Sequence, residues 1–237
     1  RIYKVEDAAP TTATLANAEA QLSGTRTNTN TGQPYPNLAN GGPNADGSYS
    51  EANVINYDIT GAPTGTPAFP FKSAFPYVPA GNPNNNIAME SLMYLQLTNG
   101  NYIFVMRSDD GFKLTEGPAN TNLTIGLFDG DRGNGTPTTM YVNVLTNGLY
   151  PMRLLYLQAG AGGNVEFYSL HNGTPILIND TTNANAIKAF QAVVAPATPV
   201  IILNPAHTGN VTTFNFLTQP ARTHHVEYKN DLADALW

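Results

Sequence analysis

From Ile87 to Gly173 apolar and polar side chains alternate in short runs, each closed by a turn signal: AMESLMYLQLTNG, NYIFVMRSDDG, FKLTEG, TNLTIGLFDG, TTMYVNVLTNG, LYPMRLLYLQAG and GNVEFYSLHNG. Alternation of period two puts Tyr102, Phe104 and Met106 on one face of a strand, Met140, Val142 and Val144 on one face of another, and Val165 and Phe167 on one face of a third. Strands at this spacing with no helices between them predict a mainly β fold, an antiparallel β-sandwich whose core is made of these faces.

The flanks read differently. In TTATLANAEAQLSG, Leu15, Ala18, Glu19 and Leu22 recur at helical spacing, Thr11 or Thr12 is placed to cap the start, and Gly24 stands where a helix ends. One short N-terminal helix is expected there. Between Thr25 and Asn86, Pro, Gly and Asn recur every few residues, which predicts loops and edge strands such as NVINYDI (Asn53 to Ile59). Beyond a short possible helix at Asn185 to Phe190, APATPV is a Pro-rich stretch. The expected organisation is therefore a sandwich with its helix and loop-rich extension over 1–194, a hinge over 195–199, and a partial β-sandwich over 200–237, where Phe214 and Phe216 alternate on one strand and Val226 and Tyr228 on the next.

Composition narrows the function. Only 12% of the 237 residues are charged, roughly half the usual share, so the surface is polar but weakly charged. A net charge of -6 without any Lys/Arg cluster argues against a nucleic-acid partner. No apolar run is long enough for a membrane span, and RIYKVEDAAP lacks a basic-then-apolar leader, so the chain reads as a mature or trimmed soluble chain with no membrane insertion. With no cysteine, disulfides and thiolate metal sites are excluded.

Candidate chemistry centres on Asp109 and Asp110, adjacent carboxylates at the point where the chain must turn. Two like charges so close repel, and one Asp with a Gly suffices for a turn. Either the pair holds a cation or it holds the loop. In the second reading the side chains accept backbone N–H bonds in a hairpin and Gly111 takes positive φ. The loop LFDGDRGNG adds Asp129, Asp131 and Asn134, which an ordinary polar turn held by Arg132 and its own aspartates also explains, and AGAGGN adds Asn164.

Other arrangements fail on geometry. His224 and His225 are adjacent in a predicted strand and point to opposite faces, while His171 and His207 are placed in turns, alone. The glycines of QAGAGGNVEF lead into a strand, so a hairpin turn is expected in place of a phosphate loop. There is no G-x-S-x-G, no H-E-x-x-H and no Cys nucleophile, and nothing pairs Glu90, Glu116 or Glu166 as a glycosidase dyad. The chain is not expected to be an enzyme.

SDDGFKL, followed by GLYPMRLLYLQAGAGGNVEFYSL, resembles the protective-antigen-fourteen domain family, β-sandwich modules found in an anthrax toxin component, glycosidases, bacterial surface proteins and fungal adhesins. The resemblance covers about Ile87 to Leu170. AEAQL and NIAME resemble an extended bacterial secreted version, and the tail is similar to the immunoglobulin-like or fibronectin-like modules that often follow it. The resemblance implies a cis peptide between Asp109 and Asp110, Ca²⁺ held by that pair with an Asn from a later loop (Asn134 or Asn164), Asp129 and Asp131 as further candidates, and sugar hydroxyls completing the shell. The function it implies is glycan binding or adhesion outside a bacterial cell or at its surface. Two alternatives stay open: a structural subunit of a filament or surface layer, assembled with neighbouring copies of itself by strand exchange, and an ancillary module of a polysaccharide-degrading enzyme.

Overall fold

The computed structural model describes residues 2–4, 12–39, 48–59, 68–69, 73–78, 86–117, 123–133, 137–191, 202–208 and 211–216. Asn134, the 195–199 hinge, His224 and His225 lie outside them. The elements run in the order β1 (Ile2–Lys4), α1 (Leu15–Leu22), β2 (Asn56–Asp58), β3 (Ser73–Ala74), β4 (Ile87–Leu97), β5 (Gly100–Asp109), β6 (Gly111–Glu116) and β7 (Thr124–Phe128). They continue with β8 (Thr138–Val144), β9 (Gly148–Gln158), β10 (Asn164–His171), β11 (Thr174–Leu177), β12 (Ala189–Phe190), β13 (Ile202–Thr208) and β14 (Val211–Phe216). The chain divides into two compact units, Arg1–Ala192 and Val193–Trp237.

The first unit is a mainly β sandwich of two sheets with one short helix. One sheet runs β1-β4-β9-β6-β7 with β12 also on β4, the other β3-β2-β10-β5-β8 with β11 also on β10. Every pairing is antiparallel except β2 with β3. The faces predicted from alternation meet in the middle: Phe104, Met106, Met140, Val144, Val165 and Phe167 from one sheet pack with Met89, Leu95, Phe112, Leu114, Leu154 and Tyr156 from the other, and Tyr102 and Val142 close the rim. This interior is aromatic-rich, with Phe75 stacked on Tyr156 (centroids 5.5 Å apart) and Phe104 against Phe167 (5.8 Å).

Helix α1 forms where expected but starts later. Thr14, not Thr11 or Thr12, is the N-cap, its Oγ1 accepting the Asn17 N–H at 3.2 Å. Gly24 follows the C-cap Ser23 at φ 71°, a conformation glycine adopts without a side-chain clash. The helix buries Ala18 and Leu22 against Ala88, Leu155, Leu157 and Ala159, the outer face of the first sheet, as a second small core. Ion pairs fasten it: Arg153, 5% exposed, donates from both terminal nitrogens to Glu19 (2.7 and 2.8 Å) and from Nε to Glu90 (2.7 Å). Burial works against that guanidinium charge, but the Glu19 and Glu90 hydrogen bonds outweigh it and raise its pKa above the ordinary arginine value.

Four local expectations are corrected. Asn185 to Phe190 is not helical: Ala186 N–H closes a turn on Asn183, and Ala189–Phe190 pair with β4 as β12. The S-D-D-G stretch is no hairpin, because β5 belongs to one sheet and β6 to the other, so the chain crosses the sandwich there. QAGAGGN is likewise no hairpin, since it carries the chain from β9 in the first sheet to β10 in the second. Gly111 is not among the positive-φ residues. Its reason is space: a Cβ there would meet the Phe128 carbonyl oxygen at 3.0 Å.

The second unit contributes the antiparallel pair β13 and β14, with a register shift between Leu203 and Ala206. His207 stands in β13 and His171 ends β10, so both are in strands and not in turns.

Candidate functional site

Because β6 pairs with β9 and β10 pairs with β5, the crossings β5-to-β6 and β9-to-β10 lie side by side at one end of the sandwich. The register is explicit: Gly111 is opposite Leu157 in one sheet, and Asn164 is opposite Asp109 in the other. Asp110 is the hinge between them, its N–H donating to the Leu157 carbonyl at 3.3 Å. The peptide between Asp109 and Asp110 is cis, the conformation the resemblance attributes to it. Around this point Asp109, Asp110, Asp131, Arg132, Gly133 and the 159–162 loop line an open cleft of about 570 Å³.

The two aspartates do different work. Asp110 is 6% exposed, and each of its oxygens accepts a backbone N–H: Oδ1 from Arg132 at 3.1 Å and Oδ2 from Ala159 at 2.9 Å. It thereby ties three segments together. Burial pushes its carboxyl above the ordinary aspartate value, the two N–H donors pull the other way, and Asp131 adds to the rise. Asp109 is half-buried, and its backbone carbonyl accepts the Tyr156 hydroxyl at 2.6 Å, which fixes the main chain from the core side. Its Oδ2 looks toward the glycine-rich loop: a methyl placed on Gly162 would lie 3.5 Å from it.

Arg132 supports the pair from behind. Its Nε and Nη2 donate to the carbonyl and hydroxyl of Ser108, Nη1 donates to Thr138 Oγ1 at 2.9 Å, and the guanidinium lies over the rings of Phe128 (4.4 Å) and Phe112 (5.3 Å). Burial lowers its pKa, while Asp109 and Asp110 hold its charge. The carboxylates that act on its charge thus include those of the opposite loop, which position in the sequence did not indicate.

The remaining candidates separate. Asp129 turns away, its Oδ1 accepting the Leu15 N–H at 2.8 Å at the start of α1. Asp131 stays in the cleft. Asn164 does not line the cleft but sits one strand from Asp109, 0% exposed, with neither its amide oxygen nor its amide nitrogen hydrogen-bonded. A buried amide left this way costs about 1–3 kcal/mol per group. Position along the chain singled out Asn164, but its burial and its lack of partners were not legible.

Among the described residues no group of three or more His, Cys, Asp or Glu side chains is arranged to hold a metal. The fit to a hard cation rests instead on mixed oxygen donors: Asp109, the Asn164 amide oxygen and the lone pairs that Asp110 retains after accepting one N–H per oxygen. The orphaned Asn164 oxygen is the observation that favours such an ion.

Elsewhere chemistry is already consumed. A second cavity, of about 380 Å³, opens along β4, lined by Tyr49, Glu51, Tyr57, Met89, Phe167 and Ile178 among others. There Tyr57 donates to Glu51 at 2.5 Å and Glu90 is engaged by Arg153. Burial raises Tyr49 to about 12, so neither it nor Tyr57, pushed higher still, ionises near neutrality. Glu166 lies in the other sheet, 3.6 Å from Arg107 Nε and accepting the Ala68 N–H. No helix among the described residues is long and apolar enough to cross a membrane.

No family model and no curated protein matches the chain. Among solved structures it is similar to the PA14 sugar-binding domain from an RTX adhesin, at 12% identity over 75% of this chain and 91% of that one, with a TM-score of 0.43. It is also similar to the PA14 domain of the antifreeze protein MpAFP (13% identity, 79% and 87% covered, TM-score 0.45). A third likeness is to the epithelial adhesin 9 A domain from Candida glabrata in complex with Galβ1-4GlcNAc (14%, 61% and 71%, 0.39). At these identities the function of the chain is argued from its own residues. The solved structures it is similar to include domains of the family that its Ser108–Gly111 and Gly148–Leu170 stretches resemble.

Proposed function

We propose that the paired crossings form a Ca²⁺-assisted glycan-binding site, and that the chain is a non-catalytic adhesion module working outside the cell or at its surface. The observation that carries this reading is the Asn164 side chain, fully buried next to Asp109 with its amide oxygen unsatisfied. Buried polar groups are paired as a rule, so that atom calls for a partner. A cation shared with Asp109 supplies one.

Ca²⁺ takes six to eight oxygens. Asp109, Asn164 and Asp110 supply only part of that shell, and the outer positions face an open cleft. Neighbouring hydroxyls on a sugar ring are suitable replacements for water there. The rim fits the same task, because Gly160, Ala161 and Gly162 carry little or no side chain and leave room for a broad polar ligand. In this role Arg132 and Asp110 keep the loops in register, Asp109 and Asn164 provide the main binding oxygens, and Asp110 lends its remaining lone pairs.

The test is a glycan array probed with the full chain in CaCl₂ and again in excess EDTA, beside the Asp109→Asn variant. Binding that requires Ca²⁺ and vanishes with Asp109→Asn supports the proposal. Glycan binding that persists in EDTA, or no binding in either condition, contradicts it.

A further inference from the structure

Asn164 has a carboxylate residue on each side. Its Cα faces Asp109 of β5 and Asp58 of β2, and residues directly opposite in adjacent strands project from the same face of a sheet. Alternation identifies the face. Val105 and Tyr168, in phase with Asp109 and Asn164, belong to a cluster of their own, whereas Met106, Val165 and Phe167 belong to the sandwich interior. Asp58, Asn164 and Asp109 thus form a row across the outer face of the second sheet. Asp58, like Asn164, is 0% exposed. The next residue ties β2 to the glycine-rich loop, Ile59 N–H donating to the Gly163 carbonyl at 3.0 Å.

A primary amide has two unlike ends, and a cation satisfies only one of them. The oxygen can ligate, but the nitrogen is a donor and needs an acceptor. On the side away from Asp109 the register places one, the Asp58 carboxylate. We propose, on the reading that Asp109, Asp110 and Asn164 hold Ca²⁺, that Asp58 is a positioning residue of the site, accepting from Asn164 Nδ2 so that Oδ1 turns toward Asp109 and the ion. It acts through Asn164 and by its charge, without ligating the ion itself. Outer partners of this kind fix the orientation of a ligand and strengthen its hold on a metal. Electrostatics agree with the placement: beyond burial, Asp58 joins Asp109 and Asp110 as the charges that raise the Tyr156 phenol.

The test uses the full chain and Ca²⁺ alone as probe. Calorimetric titration compares wild type, Asp58→Asn and Asp109→Asn, at low and at high salt, and NMR follows the Asn164 side-chain amide. Asp58→Asn is expected to weaken Ca²⁺ binding about 10-fold or more, in high salt as well as low, and to release an amide that Ca²⁺ had protected from exchange. A merely structural Asp58 would leave that amide signal unchanged. Asp58→Asn with wild-type affinity, beside an Asp109→Asn that does not bind, overturns the proposal. Should Asp58→Asn fail to fold, the wild type decides alone: an Asn164 amide that exchanges freely in the Ca²⁺-loaded chain also overturns it. A wild type that takes up no Ca²⁺ removes the reading on which this one rests, and this one with it.

Discussion

Two clusters of buried charge stand on the outer faces of this sandwich, and they are built to opposite rules. On the first sheet Arg153 sits between Glu19 and Glu90 with three short hydrogen bonds, and the cluster is closed. On the second sheet Asp58, Asn164 and Asp109 line up with an amide that bonds to nothing, and the cluster is open. The closed cluster joins helix to sheet. The open one, placed where both inter-sheet crossings meet, has the unspent donors and acceptors that binding requires.

The largest test of the contrast removes the cation from the closed cluster. Arg153→Met removes three charge-assisted hydrogen bonds to the part-exposed Glu19 and Glu90, each worth about 1.5–3 kcal/mol. Urea denaturation should show that loss to the same extent with and without Ca²⁺. A loss that Ca²⁺ repairs would mean the two clusters are not independent.

Asp110 and Asp109 divide the open end more finely. Asp110→Ala strands the Arg132 and Ala159 N–H groups, at about 1–3 kcal/mol for each group left unsatisfied. The chain should therefore melt lower even in EDTA. Asp109 is half-buried where Asp110 is buried, so in EDTA Asp109→Ala should melt above Asp110→Ala. With Ca²⁺ at a hundred times its dissociation constant, wild type should gain about 2.7 kcal/mol and Asp109→Ala nothing. Equal effects of the two variants in EDTA would erase the distinction between tie and ligand.

Much of the fold was legible in the amino-acid order and part of the site was not, for one physical reason. Alternation tells which face a residue occupies, so Phe104, Met106, Val165 and Phe167 could be assigned to the core directly. It does not tell which strand lies alongside. A turn signal such as S-D-D-G reads the same whether the next strand pairs with the last or crosses to the other sheet, and here it crosses. Asp129 was grouped with Asp131 by proximity in sequence, yet its partner is the Leu15 N–H, 114 positions away. Asp58 closes the short edge strand that NVINYDI predicts, but only the β2–β10 register sets it beside Asn164.

A smaller effect follows from acidity. Burial raises the Asp110 carboxyl, so its proton competes with a cation sooner on acidification than at an ordinary aspartate. The folded site should lose Ca²⁺ affinity as the pH falls, and sooner than an ordinary aspartate site would, since the protonated carboxyl no longer offers both oxygens as anions. Calcium titrations at neutral and at mildly acidic pH check the sign; equal affinity would place Asp110 outside the coordination shell.

The central claim is that the open cluster is completed by an ion. A crystal structure of the full chain grown with CaCl₂ tests it most directly. The account predicts a single strong peak within about 2.3–2.6 Å of Asp109 and Asn164 oxygens, with its outer positions toward the cleft. An Asn164 amide instead bonded at both ends to protein groups or ordered water, with no such peak beside Asp109, would contradict it.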